Sequence, residues 1–120
     1  FSDCRAFRYA LLRVWDETAP LLVVIGLNPS TADETTDDPT IRRCIDYARR
    51  WGCGGLRMLN LFAFRATDPS GMKRAFNPIG PHNDSMLREL TADAPRVLCA
   101  WGAHGSYMDR DRAVLALLAD

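Results

Sequence analysis

The chain lacks an excess of charge of either sign. Fifteen Lys and Arg balance fifteen Asp and Glu, for a formal net charge of zero. Whole-molecule attraction to nucleic acid or to an anionic membrane therefore has no basis in the composition. Lysine is nearly missing, since Lys73 is the only one. The four cysteines, Cys4, Cys44, Cys53 and Cys99, form no C-x-x-C pair, and no histidine lies at metal-ligand spacing from one. No metal site is expected, and Cys44 and Cys99 read as small core residues. There is no signal peptide and no apolar run near the ~20 residues that span a bilayer. The expectation is a reduced, cytoplasmic protein without a membrane partner. The phosphate-cradling G-x-x-x-x-G-K, the dinucleotide-binding G-x-G-x-x-G and the nucleophile-elbow G-x-S-x-G are all absent. Their absence disfavours nucleoside triphosphate sites, dinucleotide cofactors and an acyl-transfer triad, and no cofactor is expected.

What is present is concentrated in residues 21–33, LLVVIGLNPSTAD. Leu21 to Ile25 is a continuous apolar run without alternation, as in a strand covered on both faces of a parallel sheet. It ends at Gly26 and Leu27, and Asn28, Pro29, Ser30, Thr31 and Asp33 follow. In open α/β sheets, ligands bind just beyond the carboxyl ends of such strands.

The 120 residues, 48% of them hydrophobic, fit one domain spanning 1–120. Phe7, Tyr9 and Leu11 alternate with Arg8 and Ala10, which predicts a half-exposed edge strand, antiparallel in a hairpin with Leu21–Leu27. Asp38-Pro39 reads as N-cap and first residue of a helix, with Ile41, Cys44, Ile45 and Ala48 on its inner stripe and Gly52, Gly54 and Gly55 ending it. Leu56–Phe62 reads as a second parallel strand that carries Asn60 near its carboxyl end. Residues 63–81 form a long loop of the kind that tends to be functional. A helix with Met86, Leu87 and Leu90 inward follows. Arg96–Trp101 reads as a third parallel strand ended by Gly102, and a last helix turns Ala113, Val114, Leu117 and Leu118 inward. The chain starts without methionine and stops at Asp120 inside a helical pattern, which reads as a domain truncated at its C-terminus. The order of elements predicts an α/β three-layer α/β/α sandwich, with a mainly parallel sheet plus an N-terminal antiparallel edge strand.

Three strand ends then share one rim. Asn28 can orient a water or read a polar edge, Ser30 and Thr31 offer hydroxyls, and the Gly26–Thr31 turn offers backbone N–H groups to an anion. Asn60 is a second amide at strand depth, to be satisfied either by structure or by ligand. Phe62 and Phe64 alternate beyond it; one is expected in the core and the other as a flat wall, the arrangement that holds an unstacked base. Arg65 can hold a phosphate. Asp33 is the nearest carboxylate to Asn28 and the local candidate for a general base, and His104 near the rim titrates near neutrality. From Thr40 to Ala75, eight basic residues stand against two acidic ones, which is either a phosphate-facing surface or a solvated one.

These motifs, GLNPSTAD, DDPTIRRC, LNLFAFRATDP and IGPHND in that order, resemble a mainly bacterial domain family of unknown function. More distantly, they are similar to the uracil-DNA glycosylase superfamily. That resemblance implies a glycosylase-like α/β sheet in which Gly26, Asn28 and Pro29 position an attacking water and Asn60 reads the base edge. It also implies that Phe62 or Phe64 stacks on the base and that Trp101-Gly102 ends a later strand. The superfamily's final His-bearing loop has no counterpart here. The activity so implied is hydrolysis of an N-glycosidic bond in a nucleotide or nucleic acid, without a metal. The alternative is a non-catalytic nucleotide- or nucleic-acid-binding module.

Overall fold

The computed structural model describes residues 1–94 and 96–119. They build a mixed α/β fold around one four-stranded sheet. Its strands are β1 (Leu11–Val14), β2 (Leu21–Gly26), β3 (Gly55–Asn60) and β4 (Val97–Cys99), and its helices are α1 (Pro39–Arg50), α2 (Pro69–Arg74), α3 (Asn83–Thr91) and α4 (Arg110–Leu118). A 3-10 segment, Ala103–Asp109, leads into α4. No helix among the described residues is long and apolar enough to cross a membrane.

The sheet order is β1-β3-β2-β4. β2 pairs in parallel with both β3 and β4, which explains why its apolar run has no polar alternation. β1 is an antiparallel edge strand, but it covers Leu11–Val14 and not the alternating residues 7–10, of which only Phe7 bridges Phe64, and the expected hairpin with β2 does not form. β1 pairs with β3 instead, Leu11 opposite Met58 and Val14 opposite Gly55. Two glycines make that insertion possible. A Cβ on Gly54 would overlap the Asp16 carbonyl, and one on Gly55 would lie 2.5 Å from the Arg13 carbonyl oxygen. With no side chains there, Gly54 O accepts from both Trp15 N and Asp16 N at 3.0 Å, and Gly54 N donates to Pro20 O at 2.8 Å. The turn between β1 and β2 thus closes around the start of β3.

Alternate residues of the central strands feed two apolar clusters. Leu22, Val24, Leu56 and Met58 pack with Ile41, Cys44 and Ala48 of α1. Val23, Ile25 and Leu59 pack with Leu87 of α3, Val114 of α4 and Met72 of α2. Helix α1 starts where the sequence indicates: Pro39 is its first residue, and Asp38 Oδ1 accepts from Ile41 N at 2.9 Å. The long loop 63–81 carries α2, capped in the same way by Asp68. Two burial expectations fail. Cys99 is exposed at the β4 edge because no strand covers that side, and Ala113 is exposed while Arg110 points inward beside Val114.

Candidate functional site at the carboxyl rim

Pairing between β2 and β3 continues past both strands. Leu61 N donates to Gly26 O and Phe62 N to Leu27 O, each at 2.9 Å, and Ala66 N donates to Pro29 O at the same distance. The turn after β2 is therefore fastened residue by residue to the loop after β3. Gly26 lies opposite Asn60. A Cβ on Gly26 would come within 3.0 Å of Asn60 Oδ1 and 2.7 Å of Met58 Cε, so the glycine leaves room for the amide over the strand.

The two carboxamides are held differently. Asn28 Nδ2 donates to Pro29 O at 3.1 Å and to Ala66 O at 3.0 Å. Both donors of a half-buried side chain are thereby committed, which fixes the amide and leaves Oδ1 as its acceptor. Asn60 is 2% exposed, and its Nδ2 has no partner. Its backbone is firmly anchored. Asn83 Nδ2 donates to Asn60 O at 3.0 Å and Leu61 O at 2.9 Å, and Arg110 Nε donates to Leu61 O at 2.8 Å. Arg110 also pairs with Asp84 at 2.6 Å. A rigid backbone thus presents a buried, unpaired donor.

The remaining expected residues separate into groups. Gly26, Leu27, Asn28, Pro29, Asn60 and the Arg65–Ala66 segment come together. Ser30 is half-buried and Thr31 exposed on the same turn. Asp33 is engaged in a local turn: its Oδ1 accepts from Thr36 N at 2.8 Å, Thr35 N at 2.9 Å and Thr35 Oγ1 at 3.3 Å. The Thr35 amide, then the Thr36 amide, holds this carboxyl below its ordinary range, which weakens it as a base. Phe62 is fully buried, 5.8 Å from the Tyr107 ring, and has no face free for a base. Phe64 is half-buried and meets Phe7 edge to face at 5.9 Å. Trp101 packs on Gly105, where a Cβ would overlap the indole; Gly102 (φ 72°) makes the turn before it. Exposed His104 has Nδ1 3.0 Å from Lys73 Nζ, which ties it to α2. No hydrogen bond joins Trp101, Gly102 or His104 to Asn28 or Asn60 among the described residues.

Arg8, placed by alternation on the open side of an edge strand, is instead 2% exposed. Its Nη1 donates to Ala32 O at 3.2 Å, and its Nε has no partner. Burial lowers its pKa to about 10, with Asp38 acting in the opposite sense and Arg65 and Arg13 adding to the depression. It stays protonated at neutral pH. The sequence pattern does not mark Asn83, within IGPHND, or Arg110 as site-building residues. Their signal was slight: a polar residue at an inward helical position.

A hollow of about 500 Å³ opens elsewhere on the rim, between the N-terminal segment and α3, lined by Phe7, Tyr9 and His82 among others. Another of about 360 Å³ lies beside β4, between Trp51 and Leu98. Neither is lined by Asn28 or Asn60. Among the described residues no group of three or more His, Cys, Asp or Glu is placed to hold a metal.

A family model described as "Protein of unknown function (DUF1643)" matches residues 8–120. No curated protein and no solved structure matches the chain.

Proposed function

We propose, for a chain that belongs to the DUF1643 family of unknown function, that the Asn28–Asn60 rim binds a nucleotide and hydrolyses its N-glycosidic bond. The observation that carries this reading is the Asn60 amide, buried at the carboxyl end of a parallel strand with its Nδ2 unpartnered. A buried amide without a partner costs about 1–3 kcal/mol, and a ligand acceptor such as a base carbonyl would remove that cost. Helices packed through both faces of the sheet support the three-layer, glycosylase-like form of the reading. Asn28 supplies the second element. With Nδ2 fixed on two carbonyls, its Oδ1 is oriented to accept from a water and aim it. Rate would then come from positioning and from dipoles fixed before reaction, not from covalent attack.

The test is release of free base from uracil- and hypoxanthine-containing DNA and from free nucleotides, with Asn28→Ala and Asn60→Ala as comparisons. Release that falls at least tenfold in both variants supports the reading. No release from any substrate removes it. The alternative, a nucleotide-binding module without turnover, is favoured by the engagement of Asp33 with Thr35 and Thr36 and of His104 with Lys73. It predicts calorimetric nucleotide binding that Asn60→Ala abolishes, with no base released by the native chain.

A further inference from the structure

We infer that Arg8 and Arg65 form a receptor for a phosphate-type oxyanion, seated against the Pro29–Ala32 turn. The inference rests on the rim being a nucleotide site, and it names the charged part of that ligand.

Arginines on the α1 side of the rim differ in whether a carboxylate meets them. Arg5 pairs with Glu34 at 2.6 Å, and Arg13 pairs with Asp37 at 2.8 Å. Arg8 and Arg65 remain, and among the described residues neither has a carboxylate within ion-pair distance. The two remaining carboxylates of the turn are both engaged: Asp33 Oδ1 accepts from Thr36 N at 2.8 Å and Thr35 N at 2.9 Å, and Asp38 Oδ1 accepts from Ile41 N at 2.9 Å and Oδ2 from Ala32 N at 3.3 Å. Two guanidinium groups near enough to repel are thus left without an ion pair, beside carboxylates already committed to backbone amides. One of the two is fully buried, where an uncompensated charge is expensive.

Three of the unpaired buried atoms agree in kind. Arg8 Nε, Arg65 Nε and Asn60 Nδ2 are all buried donors without acceptors. Donors without acceptors, on guanidinium groups that have no ion pair, call for an anion. A tetrahedral oxyanion offers several oxygens in different directions and suits two guanidinium groups better than a point acceptor. The backbone places both arginines on the same turn. Ala66 N bonds Pro29 O, next to Arg65, and Arg8 Nη1 bonds Ala32 O. Ser30 and Arg65 are half-buried and Thr31 is exposed, whereas Arg8 is buried; Arg65 Nη1 donates to Arg5 O at 3.3 Å. Arg65 already stacks over Phe1, 5.0 Å from the ring centroid, which limits the positions of its head.

Calorimetry and thermal unfolding at matched ionic strength test this with inorganic phosphate, deoxyuridine monophosphate and deoxyuridine on the native chain, Arg65→Met and Arg8→Met. Phosphate at a large excess over its dissociation constant should raise the native Tm by at least ~3 °C over chloride and leave Arg65→Met unmoved. The monophosphate should bind at least tenfold tighter than the nucleoside. Arg65→Met keeps the buried core and decides the matter even where Arg8→Met fails to fold. An equal phosphate response in native and Arg65→Met protein overturns the receptor, as does equal affinity for monophosphate and nucleoside. Deoxyuridine that binds without any phosphate effect sinks the receptor and leaves the nucleobase reading standing. A phosphate response that depends on Arg65, with no nucleoside binding, does the reverse.

Discussion

Gly26 and Asn60 face each other across the β2–β3 pair, and the Asn60 Oδ1 lies 3.0 Å from where a Cβ on Gly26 would stand. The smallest residue on one strand accommodates an amide on the next, yet Asn60 Nδ2 finds no partner in that space. Such an amide lowers stability unless a ligand completes it. Asn60→Leu, nearly equal in volume and next to Met58, should therefore raise the stability of the ligand-free protein by about 1–2 kcal/mol. Urea unfolding measures it. The same variant should lose nucleotide binding. A fall in stability of more than about 1 kcal/mol would mean that the amide has a structural partner, and the site reading would lose its support.

Asn83 works in the opposite direction. Its single Nδ2 serves two carbonyls at the end of β3 and so ties α3 to the rim. Asn83→Ala leaves those carbonyls buried with fewer donors and should cost about 2–3 kcal/mol. Asn83→Asp should cost more, because it turns a carboxylate oxygen toward two carbonyl oxygens. Chemical denaturation of both variants checks the order. A ligand-contact role for Asn83 would instead leave stability near native and reduce binding alone.

Much of this architecture is legible in the sequence where the signal is local. Asp38-Pro39 with Ile41, Cys44 and Ala48 announces α1, and the unbroken run from Leu21 announces a doubly covered strand. The partner of β1 is not legible, because hairpin proximity is the default and the deciding feature is tertiary. Gly54 and Gly55 stop a helix in the sequence but also admit β3 between β1 and β2. Arg8 departs from its expected exposure for a related reason. Alternation assigns one face of an edge strand to solvent, but residues 7–9 are covered on both sides. Tyr9 packs against Gly80 and His82, and Arg8 reaches Ala32. At the rim, the register of Gly26 with Asn60 was within reach of pattern reading. The choice between Phe62 and Phe64 was not, since β3 ends at Asn60 and strand alternation ends with it.

The insertion of β3 makes a sharp prediction about neighbouring glycines. Gly54→Ala sets a methyl group into the Asp16 carbonyl, with the Ala19 carbonyl oxygen 2.6 Å away. Backbone on both sides cannot yield without breaking the β1–β3 pairing. The variant should fail to fold or lose more than about 4 kcal/mol. Gly52 has open space around it and a φ of 73°. Gly52→Ala should cost only about 1–2 kcal/mol, the left-handed penalty. Thermal unfolding of the pair separates the two effects. Similar losses in both would show that β1 does not depend on the Gly54 contact.

Acid sensitivity should come from turn and loop carboxylates. The Arg5 guanidinium holds the Glu34 carboxyl down at about 2, well below its ordinary range. Hydrogen bonds from Thr18, from Thr35 and Thr36, and from Ser70 and Gly71 hold Asp16, Asp33 and Asp68, respectively, below their ordinary range. All four are depressed in the folded state, so the unfolded chain binds more protons as pH falls. Their contribution is complete above the unfolded values near 4 and declines as pH drops through the folded ones. Tm should therefore be flat with respect to these groups from about pH 8 to 5 and fall steeply below about 4. Glu34→Gln should flatten the lowest part of that slope, between about 4 and 2. Because the pair is exposed, added salt should produce part of the same effect in the native chain. A Tm that instead rises on acidification below 4 would mean that these carboxylates carry raised, not lowered, values in the folded protein.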